Sequence, residues 1–192
     1  MNLSIVIVGV GGQGTLLASR ILGALAAEMD QEVKVSEVHG MAQRGGNVIT
    51  HVRIGQDVSS PLVEAGGADY LLAFEQLEAL RALPYLKAGG MLVVNTQKIA
   101  PMPVITGAAA YPGDILERLP ALCRTVAMDF LALAREAGDA RAVNLALLGA
   151  LCRLTGTDRE AWRRAIVSSV PERFLAVNLK AFELGYEEVR SL

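Results

Sequence analysis

The sequence predicts an α/β domain of Rossmann-like, three-layer type, with a mostly parallel sheet followed by a C-terminal helical segment. Three observations carry that prediction. An apolar run at residues 4–8 feeds a glycine turn, Gly9-Val10-Gly11-Gly12-Gln13-Gly14. Short apolar runs then alternate with helical periodicity, the pattern of a parallel sheet with crossover helices. From residue 143 onward the pattern is helical only. The expectation is one domain over residues 1–192, with a sheet part at 1–142 and a helical part at 143–192 packed on it.

Taken in order, residues 4–8 read as a buried strand. Leu16, Leu17, Ile21, Leu22, Leu25 and Met29 recur at the spacing of one helix face. A second strand is expected at 32–36 and a glycine-rich loop at 37–46. In residues 47–54, Val48, Thr50, Val52 and Ile54 alternate with Ile49, His51 and Arg53, which predicts a half-exposed strand with His51 and Arg53 on one face. A loop containing Pro61 and Gly66-Gly67 precedes a strand at 70–74. Leucines at 77, 80, 83 and 86 predict a helix stopped by Lys87-Ala88-Gly89-Gly90. Strands follow at 91–95, at 104–106 and at 124–128. Asp129 then caps a helix ending at Gly138, Gly156 ends the next, and Thr157-Asp158-Arg159-Glu160 reads as a capping box. Pro171 starts a last helix from residue 172 to 185 or beyond.

A chain of 192 residues with this pattern can bury about 70% of its unfolded surface. Its net charge is −2, with no lysine or arginine run, so neither nucleic acid nor an anionic membrane is an expected partner. No apolar run approaches the ~20 residues that span a bilayer. The N-terminus enters a core strand without a basic lead, so a cytoplasmic location is expected. Cys123 and Cys152 lack Cys-x-x-Cys spacing, which excludes an intrinsic four-cysteine cluster or cysteine-type zinc site; no metal site is expected. Hydrophobic residues make up 52% of the chain and aromatics only 5%. That composition leaves two readings open, tight internal packing or apolar faces reserved for a partner.

The glycine turn is an anion site on physical grounds. A strand, a tight turn and a helix leave backbone N–H groups unpaired at the positive end of the helix dipole. Gly9, Gly11 and Gly14 match Gly-x-Gly-x-x-Gly, and Gly12 adds conformational freedom. A dinucleotide enzyme also needs a carboxylate about 20 residues on, and Glu37 stands near that place. It runs straight into His39-Gly40, so the glycines can equally serve packing and an anion other than NAD. Arg44, followed by Gly45-Gly46, can present a guanidinium bidentately to phosphate or carboxylate, and His39 precedes Gly40 similarly. The bland alternatives are an Arg44 pair with Glu37 and a loop histidine bonded to backbone. Arg53, Glu75 and Asn95 are further residues that could line the same cleft. No nucleophile elbow or metal-ligand spacing accompanies them, so the chain reads as a binding module.

Gly9-Val10-Gly11-Gly12-Gln13-Gly14-Thr15, then Ser36-Glu37-Val38-His39-Gly40-Met41-Ala42-Gln43-Arg44-Gly45-Gly46, Ala68-Asp69 before a strand, and Pro84-Tyr85-Leu86 before Gly89-Gly90 resemble the gamma-type domain of the 2-oxoacid:ferredoxin oxidoreductases. The likeness extends through Asn144-Leu145, Leu148-Gly149-Ala150 and the stretch from Asn178 to Gly185, and residues 37–46 are its specific part. The resemblance implies a subunit of a complex that oxidatively decarboxylates a 2-oxoacid of the indolepyruvate or arylpyruvate type. In such a complex the acyl group passes to coenzyme A and the electrons to ferredoxin. Thiamine diphosphate and iron–sulfur clusters are then expected on a larger alpha subunit, with no cofactor held by this chain alone. This chain would complete the active site or the CoA site in trans and be inactive alone, with ferredoxin met through the complex and a homodimer allowed when it is isolated. On that reading Gly9, Gly11, Gly12, Gln13, Gly14, Thr15, Arg44 and Gly45 bind cofactor, with His39 and Arg44 as catalytic candidates. The alternatives are a free-standing NAD-dependent dehydrogenase using Glu37, or a pure assembly subunit.

Overall fold

The computed structural model describes residues 2–39 and 46–189. Six strands, β1 (Leu3–Val10), β2 (Glu32–His39), β3 (Asn47–Gly55), β4 (Ala68–Ala73), β5 (Leu86–Asn95) and β6 (Arg124–Met128), form one sheet in the order β2-β3-β1-β4-β5-β6. Strands β1, β4, β5 and β6 are mutually parallel, while β3 pairs antiparallel with both β1 and β2. Five strands therefore share a direction and one opposes it. In a dinucleotide fold the second strand would lie beside the first. Here β3 is inserted between them, which moves the end of β2 two strand spacings, about 10 Å, from β1.

Helices α1 (Thr15–Glu28), α5 (Phe130–Ala137), α6 (Val143–Thr155), α7 (Arg159–Ser169) and α8 (Glu172–Glu188) bury their apolar faces with Ile5, Ile7, Val52, Leu72 and Val93 on one side of the sheet. Helices α2 (Gln76–Ala82) and α4 (Ile115–Leu122) cover Val6, Val8, Leu71, Leu92 and Val94 on the other. The result is a three-layer α/β fold. Trp162 on α7 is fully buried, and its indole N–H donates to the Thr157 hydroxyl at 2.7 Å. That bond explains why Thr157 is not the helix cap: Asp158 is, accepting from the amides of Glu160 and Ala161. Asp129 caps α5 by accepting from Ala132, and Gly138 and Gly156 end α5 and α6 with positive φ, as the sequence predicts.

Several local expectations are corrected. Residues 37–39 extend β2 rather than opening the loop. His51 and Arg53 do share a face, but residues 57–67 cover it. His51 is 5% exposed, its Nδ1 accepts from the Val63 amide at 3.3 Å, and its ring meets Tyr85 edge-on at 5.4 Å. Lys87 to Gly90 belong to β5, although the register slips between Ala68 and Tyr70 and Gly89 has φ 77°, so the turn chemistry shows as an irregularity within the strand. Residues 102–105 form the short helix α3 (Met102–Ile105): Pro103 in a first turn needs no N–H, and this outweighs the β-branched run that suggested a strand. Helix α4 has no counterpart in the sequence reading because Pro120 lies inside it.

Helices α6 and α8 meet backbone to backbone. A Cβ on Gly149 would fall 2.0 Å from the Phe182 carbonyl oxygen, and one on Gly185 would fall 1.9 Å from that of Ala146. Intrinsic helix propensity alone would make Gly149→Ala stabilising by about 1 kcal/mol. The close approach reverses the sign, and a loss of roughly 2–3 kcal/mol is expected by urea unfolding. An unchanged or raised midpoint would contradict the contact. His51 gives a second expectation. Burial holds its pKa below the ordinary imidazole value, so the folded state prefers the neutral ring. The stability this contributes is present above the unfolded pKa of about 6.5 and is lost as pH falls below it. His51→Asn is expected to flatten the stability profile between pH 7 and pH 5, and an equally steep profile in the variant would assign the slope to other groups.

Candidate functional site

The site lies where β1 ends and α1 begins. Gly14 caps α1 in the left-handed conformation, φ 86°, with no side-chain cap, and Gly12 has φ 98°. Side chains rarely adopt such angles, so the turn needs glycine at both. At Gly12 no atom lies within 4 Å of an ideal Cβ, leaving open space beside the backbone. The Gly11 N–H donates to the Gly46 carbonyl at 2.9 Å and the Gln13 N–H to that of Val10 at 3.2 Å. The turn's remaining donors are the amides of Gly12, Gly14 and the first turn of α1, whose N–H groups have no intrahelical acceptor. They sit at the positive end of a fourteen-residue helix.

Gln13 faces inward. Its Oε1 accepts from the Val10 amide at 2.7 Å, and its Nε2 donates to the Phe74 carbonyl at 3.1 Å and to Gln97 Oε1 at 3.2 Å. Asn95, fully buried at the end of β5, donates through Nδ2 to the same Phe74 carbonyl at 3.1 Å. Gly9 has a packing role in this arrangement: a Cβ there would lie 2.9 Å from Gln13 Oε1 and 3.0 Å from Phe74 Cβ. Gly14 is pinned from the other side, where Asn144 Nδ2 donates to its carbonyl at 3.2 Å. The turn is thus held by its own Gln13 carboxamide and by those of Gln97 and Asn144, which come from two distant segments. Sequence reasoning missed Gln97 and Asn144, whose types in loop or helix-start positions give no signal by themselves.

A cleft of about 420 Å³ opens on this turn, lined by Gly11, Gly12, Gly14, Thr15, Leu16, Glu37 and Val48. Glu37 reaches it from β2 because it stands in register with Thr50 and, through β3, with Ile7 on the α1 face. The cleft has two poles, backbone donors on one wall and a carboxylate on the other. A phosphate with a hydroxyl or amine donor at its far end matches that arrangement. Arg44 and Gly45 lie outside the described residues, as does the side chain of His39, whose backbone ends β2. The other sequence-based candidates are placed elsewhere. Arg53 pairs in register with Ser4 at the start of β1, roughly 20 Å along the strand from the turn, and donates to the Ser60 carbonyl. Glu75 and Asn95 are buried and bonded internally rather than lining the cleft. Burial also pushes the Cys152 thiol up to about 12, so it stays neutral.

Residues 4–188 match the family described as pyruvate ferredoxin/flavodoxin oxidoreductase. Indolepyruvate oxidoreductase subunit IorB of Pyrococcus horikoshii is 42% identical, over 98% of this chain and 96% of its own. Ketoisovalerate oxidoreductase subunit VorA of Methanothermobacter marburgensis is 31% identical over 96% of this chain, but the match spans only 36% of that longer protein. Among solved structures, the gamma subunit of a keto/oxoacid ferredoxin oxidoreductase from Geobacter sulfurreducens superposes with a TM-score of 0.72 at 30% identity, covering 96% of both chains. The chain belongs to the pyruvate ferredoxin/flavodoxin oxidoreductase family. It is a small subunit of a 2-oxoacid oxidoreductase, as its full-length relatives are. Family membership and the inserted β3 together displace the reading as a free-standing NAD-dependent dehydrogenase.

Gln13→Glu tests the clasp. The new carboxylate oxygen would face two acceptors, the Phe74 carbonyl and Gln97 Oε1, in place of a donor. A loss of about 1–3 kcal/mol at neutral pH is expected in thermal unfolding, shrinking at acidic pH where a protonated carboxyl can donate again. Equal melting of variant and wild type at neutral pH would contradict the assignment.

Proposed function

We propose that this chain is the small subunit of an indolepyruvate-type 2-oxoacid:ferredoxin oxidoreductase and that the cleft at Gly12–Thr15 receives the phosphates of coenzyme A. The 42% identity to an indolepyruvate oxidoreductase subunit, over nearly the whole of both chains, carries the substrate class. The cleft carries the ligand: open backbone at Gly12, an uncapped helix start at Gly14, and a volume of about 420 Å³ suit a phosphate-bearing segment. Glu37 on the facing wall can accept from a hydroxyl or amine of the same molecule.

A larger partner subunit holds thiamine diphosphate and the iron–sulfur clusters, and ferredoxin meets the complex there. When bound, thiamine diphosphate supplies the carbanion chemistry of decarboxylation. The work of this chain is binding and orientation. The amides of Gly12, Gly14 and Thr15 fix the phosphate end of CoA, and Arg44, followed in sequence by Gly45, adds a bidentate guanidinium. His39, at the end of β2, stands at the same edge of the sheet. The complex works in the cytoplasm, and no helix among the described residues is long and apolar enough to cross a membrane.

The test is reconstitution of the small and large subunits with indolepyruvate, CoA and ferredoxin. Arg44→Ala is expected to leave the complex intact and lower kcat/KM for CoA by about 10–100-fold, the scale of one charge-assisted contact. Full turnover in an intact complex would assign this chain to assembly alone. NADH binding by the isolated chain, abolished by Glu37→Ala, would revive the dehydrogenase.

A further inference from the structure

The chain leaves the functional end of the sheet at Asn95 and, apart from the single turn of helix α3, returns to helix at α4. In between, the segment from Ile99 to Gly113 contains no Asp, Glu, Lys, Arg or His, in a protein where 20% of residues are charged. Most of this segment is exposed. Helix α3 lies within it, and Met102 and Ile105, three residues apart and so on one helix face, are 63% and 65% exposed. They are the two most exposed large apolar side chains among the described residues. An uncharged apolar arm held in water needs a reason beyond the fold of this chain.

The arm is fixed at both ends by one buried carboxylate. Glu75, 1% exposed, accepts from the Ile99 amide at 3.1 Å where the arm begins and from the Tyr111 hydroxyl where it ends. The same side chain caps α2 by accepting from the Glu78 amide at 2.9 Å. Lys98 lies over the Tyr111 ring at 5.8 Å. Burial and the Glu75 hydrogen bond raise the Tyr111 pKa, so the phenol stays a donor. Closing both ends on one group makes this a held loop rather than a loose tether. Its base is joined to the glycine turn, because Gln97 accepts from Gln13.

We propose that this arm is the docking element for the larger partner subunit, with Met102 and Ile105 inserted into an uncharged apolar surface of that subunit. The proposal rests on the reading of this chain as a partner-dependent subunit. Two observations favour the larger subunit over a second copy as the occupant. The longer ketoisovalerate relative carries a region matching this chain as about a third of one polypeptide, so there the domain is joined to additional protein. The arm also springs from the same end of the sheet as the glycine cleft, so docking through it would bring the partner's surface to the site that the partner must share.

Affinity of the full chain for the larger subunit would be measured by biolayer interferometry for wild type, Met102→Asp, Ile105→Asp and Val167→Asp. Val167 is another exposed apolar residue, 52% exposed, on α7, away from the arm. Both arm variants are expected to fold, since the replaced side chains are exposed, and to bind about tenfold or more weakly, the effect of losing an interface anchor. Val167→Asp is expected to bind as wild type does. Wild-type binding that both arm variants retain would overturn the docking assignment while leaving the subunit reading intact. No binding by wild type itself would remove the subunit reading and the arm proposal together. Sedimentation of the isolated chain completes the test: a homodimer dissolved by Met102→Asp would give the arm to a second copy and overturn the proposal.

Discussion

The carbonyl oxygen of Phe74 is the point on which the functional end of this protein is hung. It accepts from Gln13 of the glycine turn and from Asn95 at the end of β5, while the Phe74 amide donates to Val8 of β1. The phenyl ring lies fully buried beneath Gly9. One residue later, Glu75 caps α2 and closes both ends of the apolar arm. Residues 74 and 75 thus tie together three connections that are far apart in sequence. Inside a protein such bonds strengthen one another, and an unpaired member would be costly. That is why the glycine turn is a formed cleft rather than a flexible loop.

This arrangement changes what the glycine fingerprint means here. Of its glycines, Gly9 answers to Phe74 and Gln13, and Gly14 to its left-handed backbone and to Asn144. Gly12 stands beside open space. A fingerprint that suggests a dinucleotide site is therefore mostly a statement about packing, with open backbone at Gly12 and an uncapped start to α1. The antiparallel β3 completes the distinction, since it widens the gap between the turn and Glu37 and turns a ribose-binding groove into a broader two-pole cleft.

How much of this was legible depended on whether the signal was local. The β1-turn-α1 unit and the ends of α5 and α6 follow from glycines, an aspartate and apolar spacing within a few residues. The order of the strands does not, because alternation along the chain is silent on whether a hairpin strand inserts between β1 and β2. His51 looked half-exposed because period-two alternation gives a face but not what covers it; the 57–67 loop does the covering. Gln13 matched a ligand-binding pattern, yet its carboxamide answers to Phe74 and Gln97, which are 61 and 84 residues away. The arm showed in composition only as an excess of apolar residues, and its exposure became visible once Glu75 was seen to hold its two ends.

The proposed role of the Gly12–Thr15 backbone is to receive the phosphates of CoA in the assembled enzyme. Hydrogen–deuterium exchange on the complex, with and without CoA, tests it most directly. Slowed exchange in the peptide spanning Gly12 to Leu17 is expected when CoA is present. Unchanged exchange there, with protection appearing elsewhere in the complex, would contradict it.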